Sequence, residues 1–325
     1  MSVQETTTRT FAQMFGALCT NIGQFIRGKD DVVRLVALSM IADGHLLIED
    51  APGLGKTSLA KSLAASVSGT MGRIQFTPDL LPSDVVGASV WNRETGAFEF
   101  RPGAVFNNIV LADEINRASP KTQSALLEAM AERQVTVDGI THRLARPFLV
   151  IATQNPIEHQ GTYPLPESQL DRFLMRLNMG YPERTAEIEI LTSHGASTDE
   201  ALLENLTPVL TPGEVVAMQS ALSGVHVNPG LQGYLVDLAT ATRRHPMLAL
   251  GMSPRATLAL QRVSQALAAA SGRDYVTADD VKALSSYVIT HRLVVSADAQ
   301  LQGVAAKSVL SEILTRVPVP AGGGS

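Results

Sequence analysis

A single cysteine, Cys19, leaves this chain without an intrachain disulfide and without a cysteine-rich metal site. A reducing compartment fits that scarcity. No apolar run approaches the roughly 18 residues of a membrane-crossing helix, and residues 2–10 are polar, without the basic and apolar segments of a secretion signal. The cytoplasm is therefore the expected location. Neither sign of charge dominates: 26 Lys and Arg stand against 31 Asp and Glu, and the formal net charge of -5 gives no general attraction to nucleic acid or an anionic membrane. Internal repeats and low-complexity sequence are absent, apart from the glycine-rich residues 321–325, expected to be a flexible tail.

What is present is a chain of 325 residues, 45% of them hydrophobic, which exceeds the usual size of one core. A domain of roughly 180 residues and a smaller one are expected. His45-Leu46-Leu47-Ile48-Glu49 reads as a short buried strand and residues 57–64 as a helix. Between them runs Asp50-Ala51-Pro52-Gly53-Leu54-Gly55-Lys56-Thr57, the Gly-Lys-Thr end of a phosphate-binding loop at a helix N-terminus. Gly53 and Gly55 can adopt angles that turn successive N–H groups toward an anion. Gly53, Leu54, Gly55, Lys56, Thr57 and Ser58 are the candidate nucleotide-binding residues, with Lys56 reaching the outer phosphates and the Thr57 hydroxyl holding Mg²⁺. One position departs from the consensus: Asp50 stands where the loop has its first glycine.

Residues 108–114, Asn-Ile-Val-Leu-Ala-Asp-Glu, form an apolar run ending in two acids, as in a parallel core strand delivering carboxylates to the ligand edge. Asp113 would hold Mg²⁺ through water, and Glu114 would orient the attacking water. Further strand signals at 72–76, 148–153 and 173–177 alternate with helical stretches, which predicts a doubly wound αβα sheet. The run at 148–153 leads to Asn155, a polar amide placed to fix water or sense a γ-phosphate. Asn before Pro is otherwise a turn residue.

The phosphate loop, Leu111-Ala112-Asp113-Glu114-Ile115-Asn116-Arg117-Ala118, Ala152-Thr153-Gln154-Asn155-Pro156, Gly161-Thr162-Tyr163-Pro164-Leu165-Pro166-Glu167, Gln169-Leu170-Asp171-Arg172-Phe173 and Gly251-Met252-Ser253-Pro254-Arg255-Ala256 come one after another in an order that resembles the MoxR family of AAA+ ATPases, from about residue 26 to about residue 293. The resemblance implies a Walker A role for Lys56 and Thr57, a Walker B role for Asp113 and Glu114, and sensor 1 for Asn155. It also implies an arginine finger at Arg172, inserted into a neighbouring subunit, and sensor 2 at Arg255. From its neighbours alone Arg172 reads as half of a surface ion pair; Arg255 comes after Ser253-Pro254, a cap and first-turn proline, at a helix start that favours anions.

Residues 77–106 read as a loop-rich insertion with a hairpin around Val90-Trp91-Asn92 and Phe98-Glu99-Phe100, similar to the helix 2 insert of the family. Residues 135–144 read as a second hairpin turning at Asp138-Gly139, similar to the pre-sensor 1 hairpin, with His142 as a cross-strand surface residue rather than a metal ligand. After Tyr181-Pro182 strand signals cease, and the caps Thr211-Pro212-Gly213-Glu214 and Thr277-Ala278-Asp279-Asp280 open helices. The expected domains are an ATPase core over 1–182, a linker over 183–205, an all-helical lid over 206–318 and a tail over 319–325.

By resemblance the chain binds ATP and Mg²⁺, assembles as a homo-oligomeric ring with hexamer as the expected size, and remodels a protein partner containing a von Willebrand factor A domain. Trp91, Phe98 and Phe100 are candidate anchors for that partner, or packing residues of the insert. A nucleic-acid motor, a chelatase-type motor subunit and an ATP-gated scaffold with little hydrolysis share these features. The acidic hairpin tip Asp138-Gly139 argues against the first, and no nucleic-acid partner is expected.

Overall fold

The computed structural model describes residues 3–51, 53–155, 161–194, 203 and 206–320. The expected tail at 321–325, Pro52, Pro156 and most of 195–205 lie outside them. In chain order the elements run α1 Val3–Phe25, α2 Asp30–Ile41, β1 His45–Glu49, α3 Lys56–Ser66, β2 Met71–Gln75, α4 Pro82–Val86, β3 Gly87–Asn92, β4 Ala97–Pro102 and β5 Ile109–Asp113. Next come α5 Pro120–Glu132, β6 Gln134–Val137, β7 Ile140–Arg143, β8 Leu149–Gln154, α6 Glu167–Leu170, β9 Phe173–Leu177 and α7 Arg184–His194. The rest is α8 Pro212–Ala221, α9 Pro229–Arg244, β10 Leu248–Leu250, α10 Pro254–Ala270, α11 Ala278–Ile289, β11 Val294–Val295, α12 Ala297–Leu301 and α13 Ala306–Arg316.

The principal sheet has the order β2-β5-β8-β1-β9. Strands β2, β5, β8 and β1 pair in parallel, with Leu46 opposite Ile151, Leu111 opposite Ile151 and Gln75 opposite Asp113. Strands β1, β5 and β8 are buried along their lengths and become partly exposed only at the last residue, Glu49, Asp113 and Gln154. Parallel strands covered on both faces need continuous apolar sequence, and the polar residues collect at their carboxyl ends, where such sheets bind ligands. This is an α/β fold with an αβα core and a helical lid.

The chain divides into two compact units, Ala17–Leu165 with Leu177–Ala217, and Met1–Gly16 with Pro166–Arg176 and Met218–Ser325. This division interleaves the chain instead of keeping the single expected core, linker and lid order. Residues 184–194, expected within a linker, form α7, whose Ala186 is buried. Most lid residues are helical, with one addition to the all-helical expectation: β10 and β11 form a short antiparallel ladder, Leu248 opposite Val295.

The caps expected from sequence are made. Ser119 Oγ and Ser253 Oγ accept from the N–H groups of Thr122 and Ala256 at 3.4 and 3.1 Å, and Thr211 with Glu214 and Thr277 with Asp280 bond reciprocally. Both hairpins form, β3–β4 and β6–β7, the second turning through Asp138 (φ 51°) and Gly139 (φ 78°).

Candidate functional site

The loop entering α3 turns through Gly53 (φ 81°) and Gly55 (φ 83°), where an added Cβ would meet nothing within 4 Å. Left-handed backbone and open space together leave the main chain as the surface presented to a ligand. The first turn of α3 holds no acidic side chain, so its partial positive charge is uncancelled from within the helix.

In front of this loop lies a cavity of about 600 Å³ whose lining residues all belong to the first unit. It brings together Gly53, Leu54, Gly55, Lys56, Thr57 and Ser58 with Asp113, Glu114 and Asn155, the candidates read from β1–α3, β5 and β8. Phe25, Ile26, Met179 and Pro182 line it as well, giving it an apolar wall. Lys56 Nζ donates to the carbonyl of Asp50 at 2.9 Å. Burial lowers the Lys56 pKa below the usual lysine value, and the carboxylates of Asp113, Asp50 and Glu114 oppose that shift.

The acidic pair is held from two neighbouring strands and from the turn that follows β5. Thr153, fully buried on β8, donates its hydroxyl proton to Asp113 Oδ1 at 2.7 Å and accepts the N–H of Glu114 at 2.8 Å. From β2, Arg73 pairs with Asp113 Oδ2 at 2.8 Å and Gln75 Nε2 donates to Glu114 Oε2 at 2.9 Å. Arg117 Nη1 reaches the same Glu114 oxygen at 3.0 Å. Glu114 itself has φ 56° and ψ 50°, a left-handed conformation costing a non-glycine residue about 1–2 kcal/mol.

Asn155 is buried at the end of β8. Arg172 and Arg255 belong to the second unit and not to the one that lines the cavity. Arg172 is half-buried, while Arg255 is exposed on the first turn of α10. The acid beside Arg172 is engaged elsewhere: Asp171 Oδ1 lies 2.9 Å from Nε of Arg292, which is almost fully buried and also donates to the carbonyl of Phe173 at 2.7 Å. His291, next to it, bonds the same carbonyl at 3.1 Å, and burial pushes its pKa down to about 3, so its ring is neutral.

Residues that sequence reading did not single out are Arg73, Gln75, Thr153 and Arg117. The available signal was the alternation of Arg73 and Gln75 in β2, polar residues at a spacing of two beside the acid-bearing strand. The hydroxyl of Thr153 carried no signal of its own.

Residues 45–175 match the ATPase family associated with various cellular activities (AAA), and residues 240–313 match the AAA lid domain. Chaperone MoxR1 of Mycobacterium tuberculosis is 40% identical over 308 residues, 92% of this chain and 80% of that protein. The chain belongs to the MoxR family of AAA+ ATPases. The uncharacterized protein YeaC of Bacillus subtilis is 46% identical over 307 residues, 94% of this chain and 95% of YeaC. A crystal structure of a Cytophaga hutchinsonii protein superposes with a TM-score of 0.90 at 34% identity, covering 98% of each chain. Membership of the MoxR family supports ATPase activity and nucleotide binding. The donor set fits that ligand: the backbone N–H groups of the loop and Lys56 suit phosphate oxygens, and the Thr57 hydroxyl and, through water, the Asp113 carboxylate offer the hard oxygens that Mg²⁺ prefers. Among the described residues no helix is long and apolar enough to cross a membrane.

Proposed function

We propose that this chain hydrolyses Mg·ATP as a homo-oligomeric ring, hexameric by family pattern, and uses the turnover to remodel a protein partner, a von Willebrand factor A domain protein. The observation that carries the reading is the single cavity joining the phosphate loop to Asp113, Glu114 and Asn155. Gly53, Leu54, Gly55 and Ser58 supply main-chain and hydroxyl donors around the phosphates, and Lys56 meets their outer charge. Thr57 and, through water, Asp113 hold Mg²⁺, which supplies neutralisation of phosphate charge. Glu114 orients the attacking water through Oε1, since Gln75 and Arg117 both hold Oε2. Asn155 fixes that water or the γ-phosphate. Arg172 of a neighbouring subunit completes the charge clamp, and Arg255 senses the nucleotide from the lid.

The test separates binding from turnover. Glu114→Gln should retain Mg·ATP binding and lose phosphate release, because Lys56, Thr57 and Asp113 remain while the carboxylate is gone. Lys56→Ala should weaken binding itself. Undiminished turnover in the Glu114→Gln protein removes the assigned role, and wild-type protein that binds no nucleotide removes the whole reading.

A further inference from the structure

Asp50 is the residue that the phosphate-loop pattern leaves unexplained. A carboxylate beside a site for triphosphate opposes the ligand's charge, so its presence calls for a compensating use. Its Oδ2 accepts two main-chain N–H groups, those of Met179 and Gly180, the latter at 3.0 Å. Both lie just past β9, 129 and 130 residues away in sequence. Lys29, entering α2, grips the same segment by its carbonyls: Nζ donates to Met179 O at 2.7 Å and to Tyr181 O at 2.6 Å. Donors and acceptors of residues 179–181 are thus held by charges of opposite sign. A third contact pins the chain beyond Pro182, since Gly28 (φ 65°) passes so close to α7 that an added Cβ would stand 2.5 Å from the Cβ of Ala186. The braced segment is cavity wall, because Met179 and Pro182 line the cavity together with Asp50 and Lys29 themselves.

The geometry points to Asp50 and Lys29 as positioning residues for the nucleoside end of the site. Asp50 ties the phosphate loop, through its own backbone and the Lys56–Asp50 carbonyl bond, to the apolar wall at Met179 and Pro182. Triphosphate and nucleoside are thereby registered to each other. Charge-assisted bonds to main chain hold such a wall more firmly than neutral ones. The proposal rests on the nucleotide reading above and says which half of the ligand Asp50 serves.

Inorganic tripolyphosphate reports on the phosphate loop alone, and ATP on both ends. In wild type, Asp50→Ala, Asp50→Asn and Lys29→Met, the measurements are ATP affinity by calorimetry, KM and kcat for ATP, and the inhibition constant of Mg-tripolyphosphate. Asp50→Ala and Lys29→Met should each weaken ATP binding and raise KM about tenfold. The tripolyphosphate constant and kcat should stay within about twofold. Asp50→Asn keeps an acceptor oxygen for the two N–H groups and should recover ATP affinity to within about threefold of wild type. If Asp50→Ala does not fold, Lys29→Met carries the same expectation from the other side of the segment. Parallel loss of ATP and tripolyphosphate, a fall in kcat at constant KM, or unchanged ATP affinity overturns the assignment. Wild-type protein that binds neither ligand overturns the nucleotide reading instead.

Discussion

At the scale of single residues, the hydroxyl of Thr153 does for the acidic pair what no charge could. Fully buried, it serves both neighbours at once, as donor to Asp113 and acceptor from Glu114 N–H. Thr153→Val keeps the side-chain shape and deletes both bonds, leaving the part-buried N–H of Glu114 unpaired at a cost of about 1 kcal/mol. The strained backbone of Glu114 then loses one of the contacts that fix it. We predict a fall in kcat of about 10–100-fold with ATP affinity within about threefold, restored by Thr153→Ser. Phosphate release and nucleotide titration on the two variants decide it; wild-type turnover in Thr153→Val would show that Glu114 needs no such support. The residue escaped sequence reading because a threonine inside an apolar strand is ordinary β-former sequence, and only its neighbours give it work.

At the scale of elements, the β3–β4 hairpin is treated differently at its two ends. Trp91 and Phe98 stand opposite each other in register, pack edge to face at 5.2 Å and remain 51% and 71% exposed. Phe100, two residues on, is instead stacked on His142 of β7 at 3.9 Å with Phe106 against its edge. Of the three candidate anchors, Phe100 is thus a packing residue that joins the two hairpins, and His142 is its platform. Exposed aromatics near a hairpin tip are suited to anchor a protein partner. Replacing Trp91 and Phe98 together by alanine should abolish capture of the proposed von Willebrand factor A domain partner while the melting temperature moves by less than about 2 °C. Phe100→Ala should lower the melting temperature by several times that amount, through loss of aromatic contact between the hairpins. Capture undiminished in the double variant would move the partner surface elsewhere.

For the whole molecule, Arg27, Lys29, Lys56 and Arg73 line the cavity, while Arg172, the proposed arginine finger, lies in the other unit. If it acts across a subunit boundary, Arg172→Ala and Glu114→Gln proteins, each inactive alone, should regain part of the activity when mixed. A mixed interface can pair an intact Glu114 with an intact Arg172. Loss of such an arginine costs about 10³–10⁵-fold in related phosphoryl-transfer sites, so even partial recovery stands well above background. Specific activity of the wild type should also climb with protein concentration if the proposed ring assembles. Normal turnover by Arg172→Ala, or activity independent of concentration in a protein that stays monomeric, would rule out the trans arrangement.

Sequence by itself determined the buried strands, the phosphate loop, the helix caps and the Asp138-Gly139 turn, because each depends on residues within a few positions of one another. Continuous apolar runs, a glycine pair before Lys-Thr and reciprocal Thr-Glu or Thr-Asp caps are local physics. Tertiary structure alone decided the long-range partners of the polar groups. Gln75 reaches Glu114 across 39 residues, Thr153 reaches Asp113 across 40 and Asp50 reaches Met179 across 129. These pairings arise from the order β2-β5-β8-β1-β9, which periodicity does not encode. Phe98 and Phe100 make the same point: two residues apart in one strand, they share a face and an alternation pattern, yet one is exposed and the other partly covered. What separates them is where a second hairpin lies, and a side chain's burial depends on chain segments that its own sequence neighbourhood does not contain.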